Sequence, residues 1–269
     1  GLGQAIKKWY KSCFSFSLDL GLAHTSLGSR MNTEQDFASQ LYRIGILNWQ
    51  SMQHSGEAFF LRNHLKGKIA PVVVDVGANV GLYSGLALES CPSAQVFAFE
   101  PHPETYQKLR RNLPNIQAFN VGMGSAAGSF TMYDYADQTS SHASLYAEVF
   151  TDIHQRPHRS FDIEIRTLDA VIPELGIEHI DLLKVDVEGH ELEVFKGAAQ
   201  CLEKGMVQAI QFEFNEMNIA SRTYFKDFFD YLKGYRFFRL LPNGYYPIEH
   251  YSPVQCEIFA FQNIVCFKK

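Results

Sequence analysis

Cysteine is scarce in this chain and carries no pattern. The five cysteines among 269 residues, Cys13, Cys91, Cys201, Cys256 and Cys266, form no C-x-x-C pair. An odd count without ligand spacing argues against a disulfide framework or a sulfur-ligated zinc site, and points instead to reduced, buried thiols in a cytoplasmic protein. No apolar run approaches the roughly 20 residues of a membrane-crossing helix, so no membrane span is expected. There is no basic block either: 24 Lys and Arg stand against 29 Asp and Glu, for a net charge of −5. That balance argues against nucleic acid as a partner, which needs clustered positive charge. The G-x-G-x-x-G signature of dinucleotide turns is also missing. Apolar and aromatic residues are plentiful instead, at 46% and 14%. They suffice for one large α/β domain with a helical extension.

Residues 1–70 read as that extension. The chain opens Gly1-Leu-Gly-Gln, as a trimmed or added end would, and Lys7, Lys8, Trp9, Tyr10 and Lys11 suit a packed amphipathic helix. Thr33 followed by Glu34, Gln35 and Asp36 reads as an N-cap with acidic residues in the first turn, starting a helix to about Leu47 or Trp49. Ser55 begins a second, with Glu57 near its positive end and Gly67 as its stop. The segment is expected to pack on the main sheet and help cover a ligand cleft.

From residue 71 to 269 strands and helices alternate, predicting a Rossmann-like, doubly wound, mostly parallel sheet. Strands are expected at 72–76, 95–99, 116–120, 180–185 and 209–214, and helices at about 79–90, 103–112, 189–204 and 221–233. Gly197 interrupts the third helix and allows close packing there. Residues 128–135 and 161–168 read as added strands around a polar insertion, 136–160. The run 235–267 is strand-rich, with Asn243-Gly244 as a hairpin signal and an antiparallel end to the sheet.

The first strand carries the strongest signal. Val72-Val-Val-Asp-Val-Gly-Ala-Asn-Val-Gly81 delivers a buried strand into a glycine turn and a helix N-terminus, which is how backbone N–H groups reach a ligand at a sheet's carboxyl edge. Its carboxylate, Asp75, lies inside the strand, which suits a cationic cofactor such as S-adenosylmethionine better than a pyrophosphate. After the second strand, Glu100 can accept both hydroxyls of a ribose. The third ends at Asn120-Val-Gly122, where an adenine edge would lie, although Asn120 alone is an ordinary turn residue. The fourth ends in Lys184-Val-Asp-Val-Glu-Gly-His-Glu191, ionisable groups at the end of a Leu/Val-rich strand, where charges usually belong to a site.

On these four segments, Asp75–Gly81, Phe99–Pro101, Asn120–Gly122 and Lys184–Glu191, the chain resembles the FkbM-type, class I S-adenosylmethionine-dependent methyltransferases over about residues 70–267. The resemblance implies a seven-stranded sheet and methylation of a hydroxyl oxygen, often on sugars or natural-product precursors. It implies Asp75, Gly77, Asn79 and Gly81 around the cofactor, Glu100 on its ribose, and Asp186 and Glu188 at the active-site edge.

An alcohol is a weak nucleophile and needs a base, or a metal that lowers its pKa. Asp186 is the first candidate for base or metal ligand. His190 is the second, with capping of its helix as the competing role. Asp186 with Glu188 and Glu213 could ligate a divalent cation, but no spacing fixes a coordination set. Ser140, Ser141 and His142, in an insertion that also holds His154 and His158, are candidates for substrate contact. Glu213 is another. The expected partner is a small-molecule hydroxyl acceptor such as a saccharide. Two alternatives stand beside this reading: a non-catalytic cofactor-fold binding module, and an NAD-dependent oxidoreductase, against which the glycine spacing and the placement of Asp75 both count.

Overall fold

The computed structural model describes residues 36–136 and 143–269. Cys13, the Lys7–Lys11 segment, the Thr33 cap, and Ser140, Ser141 and His142 lie outside the described residues. After a helical stretch at 36–43, stopped by Gly45 at φ +80°, comes α1 (Glu57–Leu65). Its N-cap is Gly56 in the left-handed region, not Ser55, whose hydroxyl donates to Glu57.

The main sheet is built around β1 (Val72–Val76), β2 (Gln95–Phe99) and β3 (Gln117–Phe119) on one side, and β7 (Leu182–Val185) and β8 (Ala209–Phe214) on the other. These five run parallel in the order β3-β2-β1-β7-β8. The valine run explains β1: Val73 packs on one face with α1, and Val74 and Val76 pack on the other, as period-2 alternation requires. β11 (Gln262–Lys268) then pairs antiparallel with β8 and with β9 (Tyr235–Leu241), and β10 (Gly244–Ile248) closes the edge. The sheet therefore has eight strands where seven were expected. The extra one is the hairpin partner β10, whose turn residues are Pro242 and Asn243, since Leu241 pairs with Gly244.

The segment between β3 and β7 forms a second sheet. Here β4 (Gly122–Met123), β5 (Gly128–Tyr135) and β6 (His158–Arg166) pair in the order β4-β6-β5, and the insertion adds a π-helical turn at Val149–Ile153. Among the described residues no helix is long and apolar enough to cross a membrane, and Cys91, Cys201, Cys256 and Cys266 are buried free thiols.

Three helices differ from their expected spans for local reasons. α2 (Leu82–Ser90) starts three residues late because Gly77, Asn79 and Gly81 all hold positive φ, so 77–81 cannot be helical. α3 (Pro103–Asn112) begins with proline at its first position, as read from the sequence. After α4 (Leu168–Glu174), the expected 189–204 helix is split into α5 (Glu191–Lys196) and α6 (Ala199–Glu203). Gly197 sits at the break, against the second sheet: a Cβ there would lie 1.9 Å from the Gly124 carbonyl oxygen. α7 (Met217–Ser221) ends on Arg222 in the left-handed region, so α8 (Phe225–Tyr231) is a separate helix.

The Gly197–Gly124 contact gives a stability test. Gly197→Ala should cost about 1–3 kcal/mol through overpacking, read as a lower urea midpoint with an unchanged slope. Unaltered stability would mean that the two segments can part without cost.

Candidate active site

The carboxyl ends of β1, β2 and β7 meet at a cleft of about 610 Å³, counting its open mouth. Its polar side is made by Gly77, Asn79, Glu100, Asp186, Glu188 and His190. Its apolar side is made by Met123, Met132, Leu145, Ile163 and Ile165, drawn largely from the second sheet. One half thus suits a hydroxylated, charged group and the other a flat apolar ring.

Glycine is obligatory at the first turn. A Cβ on Gly77 would stand 1.8 Å from the Asp186 carbonyl oxygen, and its φ is +81°. The turns after β1 and β7 therefore touch backbone to backbone. Asn79 also sits at positive φ, and its N–H donates to Glu100 Oε2 at 2.8 Å. The other oxygen, Oε1, accepts from the His102 N–H at 2.8 Å. Two backbone donors fix a carboxylate at the cleft wall, with its remaining lone pairs available to a ligand. Burial raises Glu100 to about 7 in spite of those bonds.

The opposite wall is the turn after β7. Asp186 donates its N–H to the Val76 carbonyl at 2.9 Å, and its Oδ2 accepts from Lys184 Nζ at 3.0 Å. Its side chain is about one-third exposed (35%), whereas Lys184 is buried. Burial alone would lower Lys184, but Asp186, Glu57 and Glu213 outweigh it and hold the ammonium above its usual value. Glu188 sits in the left-handed region at φ +53°. Burial, then the charge of Asp186, pushes it well above the usual carboxylate range. Glu191 pins the turn: its Oε1 accepts from the N–H groups of Val187 and Gly189, each at 3.1 Å. Burial raises it to about 7.

His190 does not cap α5 with its side chain. Its Nδ1 lies 3.0 Å from the Tyr146 hydroxyl, and a Cβ added at Gly124 would stand 3.0 Å from its Nε2. Burial lowers it to about 4, so the ring is neutral near pH 7. Tyr146, pushed up to about 12 by burial, is neutral as well. The insertion thus lines the cleft through Ala143 and Leu145, and braces its wall through Tyr146 on His190 and Ser144, whose hydroxyl donates to the Glu188 carbonyl. His154 instead contacts the Tyr135 hydroxyl, and His158 rests on Tyr133 and Phe150.

Four expected site residues stand away from the cleft. Asp75 is buried beneath the turn, where its Oδ2 accepts from Ser84 at 2.6 Å, because alternation turns it toward α2. Gly81 is needed for packing: a Cβ would sit 2.7–2.8 Å from Leu109 and Leu113. Asn120 donates to the carbonyls of Glu100 and Pro101, each at 2.9 Å, and so shapes the rim. Glu213 lies one strand beyond Asp186 and accepts from Asn215. Among the described residues no three His, Cys, Asp or Glu groups converge in metal-ligand geometry, so Asp186, Glu188 and Glu213 form no ready-made set. Gly122 does line the cleft. Sequence reading missed Met132, Ile163, Ile165 and Tyr146; the i, i+2 spacing of the two isoleucines was the available signal.

Residues 75–238, more than half of the chain, match the family model described as "Methyltransferase FkbM domain". The chain belongs to the FkbM methyltransferase family. Among curated relatives, "Methyltransferase sdnD" of Sordaria araneosa is 34% identical over 47% of this chain and 60% of its own length. "2-O-methyltransferase NoeI" of Sinorhizobium fredii is 30% identical over 50% of this chain and 60% of its own. "31-O-demethyl-FK506 methyltransferase FkbM" of Streptomyces tacrolimicus is 30% identical over 51% and 63%. The chain thus spans about three fifths of the length of these relatives. Membership in this family is at odds with the oxidoreductase alternative.

A pH test isolates Glu100. Its folded pKa lies above the unfolded value, so its contribution to stability is full below about 4.5 and is lost as pH rises through about 7. Glu100→Gln cannot ionise. Relative to wild type, the ligand-free variant should gain urea stability between pH 5 and pH 8. A difference that is flat with pH would show that Glu100 is not buried as described.

Proposed function

We propose that this FkbM-family chain transfers a methyl group from S-adenosylmethionine to a hydroxyl oxygen of a small molecule such as a sugar or a natural-product-like alcohol. The observation that carries the reading is the pairing, across one cleft, of a backbone-clamped Glu100 with an Asp186 that is about one-third exposed. The cofactor fits the residues present. Glu100 offers free carboxylate lone pairs to the ribose diol, Gly77 and Asn79 line the approach, and Met123, Met132, Ile163 and Ile165 suit the adenine. When bound, S-adenosylmethionine supplies an electrophilic methyl on a sulfonium sulfur.

The chain's own residues then divide the remaining work. Alignment of the acceptor oxygen is the larger part, and it needs rigid walls. Glu191 supplies rigidity on one side by holding the Val187 and Gly189 N–H groups, and the Asn79–Glu100 bond supplies it on the other. Asp186 takes the hydroxyl proton. Lys184 is held above its usual value as an ammonium, burial pushes Glu188 toward its neutral form, and His190 is a weak base with Nδ1 on Tyr146. Asp186 is therefore the cleft group with both a free oxygen and access. The names of NoeI, a 2-O-methyltransferase, and FkbM, a 31-O-demethyl-FK506 methyltransferase, support oxygen as the acceptor atom. The buried free thiols fit a cytoplasmic setting.

Calorimetry with S-adenosylhomocysteine should show one site. Its affinity should increase as pH rises through about 7, with proton release measured across buffers, because only ionised Glu100 accepts both diol bonds without a competing proton. Glu100→Ala should weaken binding by about tenfold or more, the cost of losing charge-assisted bonds. Asp186→Asn should leave that affinity unchanged and lower methyl transfer by about 10²–10⁴-fold. No binding by the wild-type chain would sink the proposal, and full activity in Asp186→Asn would remove Asp186 as base.

A further inference from the structure

A second pocket, of about 620 Å³ with its mouth included, opens beside the β9–β10 hairpin and shares no lining residue with the cleft. Its floor is Arg239, which is 1% exposed and among the largest fully buried side chains. The guanidinium donates from Nε to Gln262 Oε1 at 2.6 Å and from Nη2 to the Gln255 carbonyl. Both acceptors are neutral. Among the described residues no carboxylate forms an ion pair with Arg239, and three of its five N–H groups have no hydrogen-bond acceptor.

Such an arrangement is costly. A buried cation without an opposing charge loses hydration that two neutral acceptors do not replace. Interior arginines therefore normally meet a carboxylate, and a planar fork left open toward a cavity is the usual shape of an oxyanion receptor. The register reinforces this. Arg239 stands directly across from Tyr246 on β10, with the guanidinium carbon 6.0 Å from the ring centroid. Tyr246, His250 and Gln255 line the same pocket and can all donate to an anion. Glu249, exposed at the rim, is the one group there that opposes it. Arg239 and Gln262 lie at the carboxyl end of β9 and the start of β11, on the same edge of the sheet as the cleft and three strands from β7.

We propose that the Arg239 pocket is an oxyanion-binding site, taking a phosphoryl or carboxylate group on the guanidinium fork.

Calorimetric titration of the full chain with sodium phosphate and with sodium acetate, against sodium chloride at matched ionic strength, tests this. Saturable binding of at least one oxyanion, tighter than chloride, is expected, and the stronger of the two names the chemical class. Arg239→Met should weaken it by about tenfold or more, the scale of a charge-assisted bidentate pair, while the affinity for S-adenosylhomocysteine stays at the wild-type value. Glu249→Gln leaves the buried arginine untouched, so it decides the matter should Arg239→Met fail to fold. Removing the rim charge should tighten oxyanion binding severalfold. Absence of saturable binding in wild type, binding undiminished in a folded Arg239→Met, or no tightening in Glu249→Gln would each overturn the assignment.

Discussion

Everything in the cleft depends on the contact between Gly77 and Asp186. The turns leaving β1 and β7 press together so closely that a single added carbon would stand 1.8 Å from the Asp186 carbonyl. That closeness brings a turn on one strand and a carboxylate on its neighbour into the same small space. The Asp186 N–H to Val76 carbonyl bond continues the parallel ladder one step beyond the strands and fixes the relative height of the two turns. With that height set, Asn79 reaches Glu100, and the cleft acquires two opposed carboxylates. A side chain at position 77 would separate the walls, and no compensating movement is open to a backbone carbonyl inside a buried sheet.

Beneath the cleft runs a row of polar groups that the parallel register creates. Asp75 pairs with Lys184, and Lys184 pairs with Gln211, so the three stand side by side on one face. Each finds a partner from the covering helices or the turn above. Ser84 donates to Asp75, the Tyr83 hydroxyl donates to Gln211 at 2.6 Å, and Gln211 donates to Glu57 of α1 at 3.2 Å. A half-satisfied row at this depth would cost more than an apolar one. Glu57 lies outside the 75–238 family match, so the segment before the matched region helps complete the support under the active edge.

Local chemistry was legible in the sequence and long-range assembly was not. Gly77, Asn79 and Gly81 marked a turn because positive φ is written into residue type, and Pro103 marked a helix start for an equally local reason. The parallel sheet followed from alternation of elements. The function of Asp75 did not follow, since a motif gives spacing but not the face toward which a strand residue points; the register turns it under α2. Nor could Ile163, Ile165 or Tyr146 be assigned to the cleft. They belong to a separate sheet and insertion, and only tertiary packing carries them to a turn at Glu188 and His190. The count of seven strands came with the family resemblance; the strand-rich 235–267 run, with its Asn243-Gly244 hairpin signal, itself accommodates the edge strand β10 that makes eight.

Charge at the active edge bears on which group can serve as the proposed base. Six acidic side chains, Glu57, Asp75, Asp186, Glu188, Glu191 and Glu213, gather at or beneath this edge, and Glu57, Asp75, Asp186 and Glu213 interact with its buried lysine, Lys184. Burial comes first for five of them, and it drives Glu57, Asp75, Glu188, Glu191 and Glu213 toward their neutral forms. Ionising all six would require far more positive charge than Lys184 supplies. The lysine therefore holds its proton, with Asp186 first among the charges that favour the ammonium, at hydrogen-bond distance. An ammonium fixed in this way cannot act as a base, but it keeps one oxygen of Asp186 oriented and leaves the other for the cleft. The cationic cofactor this site suits would enter a pocket in which burial pushes Glu188 and Glu213 well above the usual carboxylate range and Glu191 to about 7. Its binding then need not be so strongly stabilised that methyl transfer, which discharges the sulfonium, is penalised. On the proposed reading, burial that shifts these acids toward their neutral forms is what lets an acidic cleft both attract that cation and let its charge go.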